Sequence, residues 1–172
     1  MKQLGSFSDM PIRSAQTADL DAMMALTQDA FGDSAWSRRL MAEVLEAAIE
    51  RPEQQLARIW EDPCGLAAPP PHPNPDRIAG YLIAQVIGRD AEIQSIAVWP
   101  GRQRQGVGTA LLHDFMERAR RKAWDRIFLE VRAGNEAAQK FYLRQGFEHY
   151  GRRPHYYHSP TEDACLMRMR AR

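Results

Sequence analysis

Cysteine is scarce in this chain of 172 residues: Cys64 and Cys165 are the only two. Two distant thiols build neither a disulfide framework nor a cysteine-rich zinc site, and they suit a reducing compartment. The five histidines are scattered, without metal-ligand spacing, so no metal is expected. No apolar run reaches the roughly 18 residues needed to span a bilayer. The opening segment MKQLGSFSDM lacks the apolar stretch of a secretory signal. A cytoplasmic location without membrane contact is therefore expected. Net charge is nearly absent too, 23 basic against 22 acidic side chains leaving +1. What is present is 44% apolar residues. A chain of this length buries roughly two thirds of its unfolded surface, which predicts one globular domain over residues 1–172. Six of the eleven prolines lie between Pro63 and Pro75, in the string PCGLAAPPPHPNP. Such a string continues neither a helix nor a ladder, so a loop or insert is expected at about 62–76.

The small net charge hides an asymmetry. Residues 1–100 carry 8 basic and 14 acidic groups while residues 101–172 carry 15 and 8, leaving the halves at −6 and +7. A basic half suits a polyanion, either nucleic acid or a phosphorylated cofactor. Its arginines are spread over helices and strands with few interleaved aromatics, so no specific nucleic-acid binding is expected.

Hydropathy periods predict a mixed α/β order. Ile12 and Arg13 read as a short strand. Thr17 is expected to cap a helix whose apolar positions Leu20, Met23, Met24 and Phe31 recur at helical spacing, and Ser37 a second helix with the stripe Leu40, Val44 and Ala48, stopping before Pro52. Strands follow at 55–60, 78–86 and 91–98, the last two forming a hairpin about residues 88–90. A helix over 106–121 turns Val107, Leu111, Phe115 and Ala119 to the sheet. After it come a strand at 126–131, a helix at 136–145 closed by Gly146, and a strand at 165–170.

The passage SIAVWPGRQRQGVGTALLHDF carries the strongest chemical signal. A strand that stops at Pro100 and feeds residues 103–108 into a helix leaves backbone amides unpaired, with the positive helix end behind them. Such a turn binds phosphate. Gly106 and Gly108 let the main chain come close to a ligand, and Arg102 and Arg104 are expected to add charge at the rim. Two nucleotide readings fail. Thr109 and Ala110 stand where a nucleotide-hydrolase loop needs Lys and Ser or Thr, and Leu111 stands where the dinucleotide fingerprint needs a third glycine. A glycine pair that merely opens a tight strand-to-helix turn is the remaining alternative.

Gln103-x-x-Gly106-x-Gly108 after Ala97-Val98 resembles the acetyl-CoA motif of the GNAT N-acetyltransferases. The segment LEVRAGNEAAQKFYLRQGF, the Trp36-Ser37 pair after Phe31, and Tyr156-Tyr157 with Glu162-Asp163-Ala164 extend the similarity to the bacterial ribosomal-protein-alanine N-acetyltransferases within that family. The resemblance implies a largely antiparallel twisted sheet flanked by helices, and acetyl transfer from acetyl-CoA to the terminal α-amine of a protein, in particular an alanine-headed ribosomal protein. It implies that the amides of Gln103, Arg104, Gln105, Gly106, Val107, Gly108 and Thr109 hold the diphosphate. Ile96 and Val98 match positions whose backbone groups hydrogen-bond the pantetheine arm, and Asn135, which can also simply cap the following helix, matches another arm contact. Ala35 stands where the family usually carries proline.

Strand alternation puts Phe128 and Glu130 on one face, which predicts a carboxylate among apolar neighbours with raised proton affinity, suited to a general base. A structural pairing with Arg132 or Arg126 is the alternative. Tyr142 is the candidate acid for the departing thiolate, by its match to the family position. Trp36, Tyr156, Tyr157, Glu162 and Asp163 are expected to form the pocket for the acceptor's first residue. An enzyme acting on a small amine and a non-catalytic acyl-CoA sensor are the competing readings.

Overall fold

The computed structural model describes residues 12–62 and 78–171. The proline-rich stretch, beyond Asp62, lies outside the described residues. The elements are β1 (Ile12–Ser14), α1 (Leu20–Phe31), α2 (Arg38–Glu50), β2 (Gln55–Glu61), β3 (Ile78–Ile87), β4 (Asp90–Val98), α3 (Val107–Arg121), β5 (Arg126–Arg132), α4 (Glu136–Arg144), β6 (Glu148–His158) and β7 (Thr161–Arg170). The strands form one sheet in the order β1-β2-β3-β4-β5-β7-β6. The ladders β1/β2, β5/β7 and β6/β7 are antiparallel and β4/β5 is parallel. This is the expected mixed α/β class with a largely antiparallel sheet. Among the described residues, no helix is long and apolar enough to cross a membrane. The chain divides into two compact units, Met1–Ile83 with Ser95–Phe115, and Ala84–Gln94 with Met116–Arg172.

In the first unit the core gathers Met23 and Leu26 of α1, Met41 and Leu45 of α2, Ile59 of β2, and Ile78 and Tyr81 of β3. Two local expectations are corrected. Thr17 does not cap α1: it lies in a short 3-10 turn, Thr17–Asp19, preceded by Gln16. Asp19 closes that turn by accepting from the Gln16 amide at 2.6 Å, and Arg13 holds the same carboxylate at 2.7 and 2.8 Å. The inward face of α2 is set by Met41 and Leu45, with Val44 and Ala48 only partly buried and Leu40 41% exposed. The stripe is turned by one residue because the larger Met41–Leu45 pair, at i and i+4, fills the core. Ser37 caps α2 as expected, accepting from the Leu40 amide at 3.2 Å.

Gly80 fixes how α3 begins. A Cβ there would meet the Ala97 carbonyl oxygen at 2.9 Å, Val107 Cγ1 at 3.0 Å and Leu111 Cδ1 at 3.2 Å. Glycine thus lets the first turn of α3 and the end of β4 close on β3, which seats the turn that joins them.

In the second unit β5 pairs along its whole length with β7. Its parallel ladder with β4 ends at Ile93–Leu129, and Glu130 is the first β5 residue beyond that end. The sequence reading missed β6. Its residues are exposed along nearly the whole strand, so it lacks the apolar alternation that marks a half-buried strand. Against β7, β6 shifts register between His149 and Gly151, and again between Arg153 and Tyr157. Arg153 pairs with Ala164 and Tyr157 with Glu162, so the intervening Pro154, His155 and Tyr156 face Asp163 alone. Asp163 clamps this bulge, accepting from the His155 amide at 2.9 Å and from Arg152 Nε at 2.6 Å. His155 takes a positive φ of 52° there. Bulges re-aim side chains, and this one sets Tyr156.

Candidate active site

The candidate residues fall in both units. In the first, a 3-10 turn (Pro100–Arg102) follows β4 and consumes two amides: Arg102 donates to Trp99 O at 2.8 Å and Gln103 to Pro100 O at 3.2 Å. The first bond of α3 runs from the Ala110 amide to Gly106 O at 2.9 Å. The amides of residues 104–109 lie ahead of it and make no hydrogen bond of normal geometry among the described residues. Arg104 and Gly106 have positive φ, 62° and 89°. Such reversals turn successive N–H groups into one concavity at the positive end of the helix.

Side chains brace this turn from behind. Gln103 Nε2 donates to Val98 O at 3.2 Å and Gln105 Nε2 to Gly101 O at 2.8 Å. Arg102 departs from expectation. Its guanidinium is ion-paired with Asp62, itself 5% exposed, and it donates to Gln105 Oε1 at 3.2 Å. Arg102 is therefore a strut, and rim charge falls to the exposed Arg104. A Cβ on Gly106 would meet nothing within 4 Å, so the space before the amides is open. The turn thus fits a diphosphate. Ile96 and Val98 lie half-buried on one face of β4, and Trp36 packs against the core of this unit.

In the second unit Glu130 does not lie among apolar groups. Arg153 Nη1 sits 2.7 Å from its Oε1. The Tyr156 hydroxyl lies near enough to it that Glu130, ahead of burial, holds that phenol above its usual range. The missed β6 supplies both neighbours, while Arg132 pairs with Glu162 at 2.9 Å and Arg126 with Asp90 at 2.9 Å. Glu92 of β4 has its proton affinity raised, by burial first and then by the Glu130 charge, partly offset by Arg153. Glu92 was not singled out from sequence. Its signal was available, because it shares the period-two face of β4 with Ile96 and Val98.

Tyr142 of α4 is 5% exposed, with ring edges against Phe141 at 5.1 Å and Phe147 at 5.5 Å between centroids. Burial, then Tyr157, pushes its hydroxyl well above the usual range. Tyr157 is pushed up to about 12, by burial first and the charge of Glu130 next. Arg132 lies 4.2 Å over the Tyr157 ring. The carboxylates expected to receive an acceptor are engaged within the fold. Glu162 accepts from Arg132 at 2.9 Å and from the Gly134 amide, which together hold its carboxyl below the usual range. Asp163 is lowered likewise by the His155 amide and Arg152. Asn135 caps α4, accepting from the Ala138 amide at 3.0 Å.

The chain matches the acetyltransferase (GNAT) family over residues 20–147. It is 36% identical over 156 residues to the putative ribosomal protein bS18-alanine N-acetyltransferase of Bacillus subtilis (strain 168), covering 91% of this chain and 92% of that protein. With the ribosomal protein bS18-alanine N-acetyltransferase of Escherichia coli (strain K12) the identity is 39% over 95 residues, 53% of this chain and 63% of that protein. An uncharacterised protein of Mycobacterium leprae (strain TN) is 34% identical over 159 residues, and this chain spans 39% of it. The chain thus covers less than two thirds of the latter two relatives. Among solved structures, the ribosomal-protein-S18-alanine N-acetyltransferase from Escherichia coli superposes with a TM-score of 0.77 at 30% identity, covering 93% of this chain and 92% of that one.

Proposed function

This chain belongs to the acetyltransferase (GNAT) family, and we propose that it moves the acetyl group of acetyl-CoA to the N-terminal α-amine of a protein, the acceptor class being alanine-headed ribosomal proteins. The run of amides at residues 104–109 that bond to none of the described residues is the observation that carries this reading. It suits a diphosphate and leaves the ligand's identity to charge and hydrogen bonding rather than to a metal. The ribosomal protein bS18-alanine N-acetyltransferases named above support the acceptor class.

Roles divide by chemistry. The amides of residues 104–109 bind the diphosphate. Glu130, directly or through water, takes the proton of the attacking amine as the N–C bond forms and the C–S bond breaks. Tyr142 returns a proton to the departing thiolate. An α-amine has a reference pKa of about 8 against about 10.4 for lysine, so a chain terminus saves on the order of 3 kcal/mol of deprotonation. The pair Tyr156–Tyr157, ring centroids 5.1 Å apart at 82°, supplies an aromatic wall for the acceptor.

The test is intact-mass analysis of an alanine-headed peptide incubated with the protein and acetyl-CoA. Addition of one acetyl group at the free terminus, and none to the same peptide with a blocked terminus and an internal lysine, is the expected result. Faster acetylation of small amines would replace the acceptor, and no thiol release with any amine would remove the enzyme reading.

The cofactor half has its own check. At the φ of Gly106 an L side chain costs about 1–2 kcal/mol, and a methyl group would stand in front of the amides. Gly106→Ala is expected to weaken acetyl-CoA binding about tenfold in calorimetry, with turnover at saturation nearly unchanged.

A further inference from the structure

The acetyl-transfer reading leaves Arg153 without a role. We propose that its guanidinium occupies the subsite for the acceptor's ammonium, as an internal stand-in that the substrate must displace. The inference rests on the reading of this unit as an amine acetyltransferase site and deepens it: the acceptor arrives as a cation, recognised by carboxylate and aromatic face together.

Three observations meet at one point. Arg153 lies 2.7 Å from Glu130 and 5.0 Å over the Tyr156 ring, so one cation is held by a carboxylate and an aromatic face. Glu130 also acts on the Tyr156 hydroxyl, so the carboxylate and the ring are close neighbours. Glu92 adds a second carboxylate within electrostatic reach of both Glu130 and Arg153. An ammonium is bound by this same combination of anion and aromatic face. Two carboxylates with one guanidinium leave the spot attractive to any cation once Arg153 withdraws.

Arg153 can withdraw. It stands on the edge strand β6, beside the bulge, with its side chain 54% exposed. Arg132 is held instead: it pairs with Glu162, covers Tyr157 and donates to the carbonyls of Ser159 and Pro160. The exposed pair therefore behaves as a plug rather than a strut.

Arg153→Met keeps an unbranched stem along Tyr156 and removes the charge. For this variant the KM for an alanine-headed peptide is expected to fall about two- to fivefold, the range of a half-exposed ion pair, with acetyl-CoA affinity unchanged. Methylguanidinium is expected to bind Arg153→Met measurably in calorimetry, to compete there with the peptide, and to bind the parent protein far more weakly. Arg153→Lys is expected to return KM to the parent value. A KM unchanged or raised in Arg153→Met, with lower kcat, would overturn the proposal and make Arg153 a group that positions Glu130. Methylguanidinium binding needs no turnover, so it separates the two readings. Binding to Arg153→Met without acetylation of any amine would sink the transfer reading alone. Acetylation without such binding would sink the stand-in alone.

Discussion

Glu130→Gln is expected to lower kcat/KM for an α-amine acceptor by about 10²- to 10⁴-fold at neutral pH, the usual contribution of a positioned base. Glutamine keeps the shape of the side chain, so the fold of the sheet is retained while the proton acceptor is lost. The proposed diphosphate contacts are the amides of residues 104–109, so acetyl-CoA affinity is expected to be unchanged. The pH dependence sharpens the test. As pH rises through the α-amine's pKa of about 8, more acceptor is already neutral and less is asked of a base. The deficit of Glu130→Gln is therefore expected to be deepest near pH 6 and to shrink toward pH 9. Parent-like rates across that range would remove Glu130 from the mechanism. Collapse in Glu92→Gln with Glu130→Gln intact would move the base one strand over, to the carboxyl whose proton affinity burial already raises.

What could be read from residues alone followed from where the physics is local. Ser37, Gly106 and Asn135 act through their own backbone neighbourhood, and caps and strand-to-helix turns declare themselves in a few residues. The face of α3 was equally plain, because Val107, Leu111, Phe115 and Ala119 are all buried at helical spacing. The surroundings of Glu130 were not legible in that way. They depend on β6, a strand whose residues are exposed on both faces, and on a bulge that Asp163 clamps from across the ladder. Alternation along β5 alone predicted apolar company for Glu130, while the long side chain of Arg153 brings charge to it. The fate of Arg102 was hidden for the same reason. Its partner Asp62 lies 40 positions earlier, and a guanidinium at the edge of a phosphate-binding turn looks from sequence like a ligand contact.

Tyr142→Phe is expected to lower kcat about 10²-fold, the lower end of general-acid contributions, with acetyl-CoA affinity unchanged. The ring stays wedged against Phe141 and Phe147, so only the hydroxyl is lost. A thiol has a reference pKa near 8.5 and a tyrosine near 10, so delivering the proton costs about 2 kcal/mol before burial, and burial of Tyr142 steepens that climb. The same burial disfavours the phenolate, so the hydroxyl is expected to stay protonated through the neutral and mildly alkaline range. An alkaline fall in the parent's rate would therefore not belong to Tyr142, and the pH profile of Tyr142→Phe is expected to keep the parent's shape at a lower level. The leaving group provides the decisive comparison. An acetyl thioester of a more acidic thiol needs no proton to depart, so it is expected to restore much of the rate in Tyr142→Phe and little of it in Glu130→Gln. Equal rescue of both variants would mean that the hydroxyl serves some step other than thiolate departure. Near-parent turnover in Tyr142→Phe with collapse in Tyr157→Phe would give the role to the neighbouring phenol, which burial and Glu130 hold at about 12.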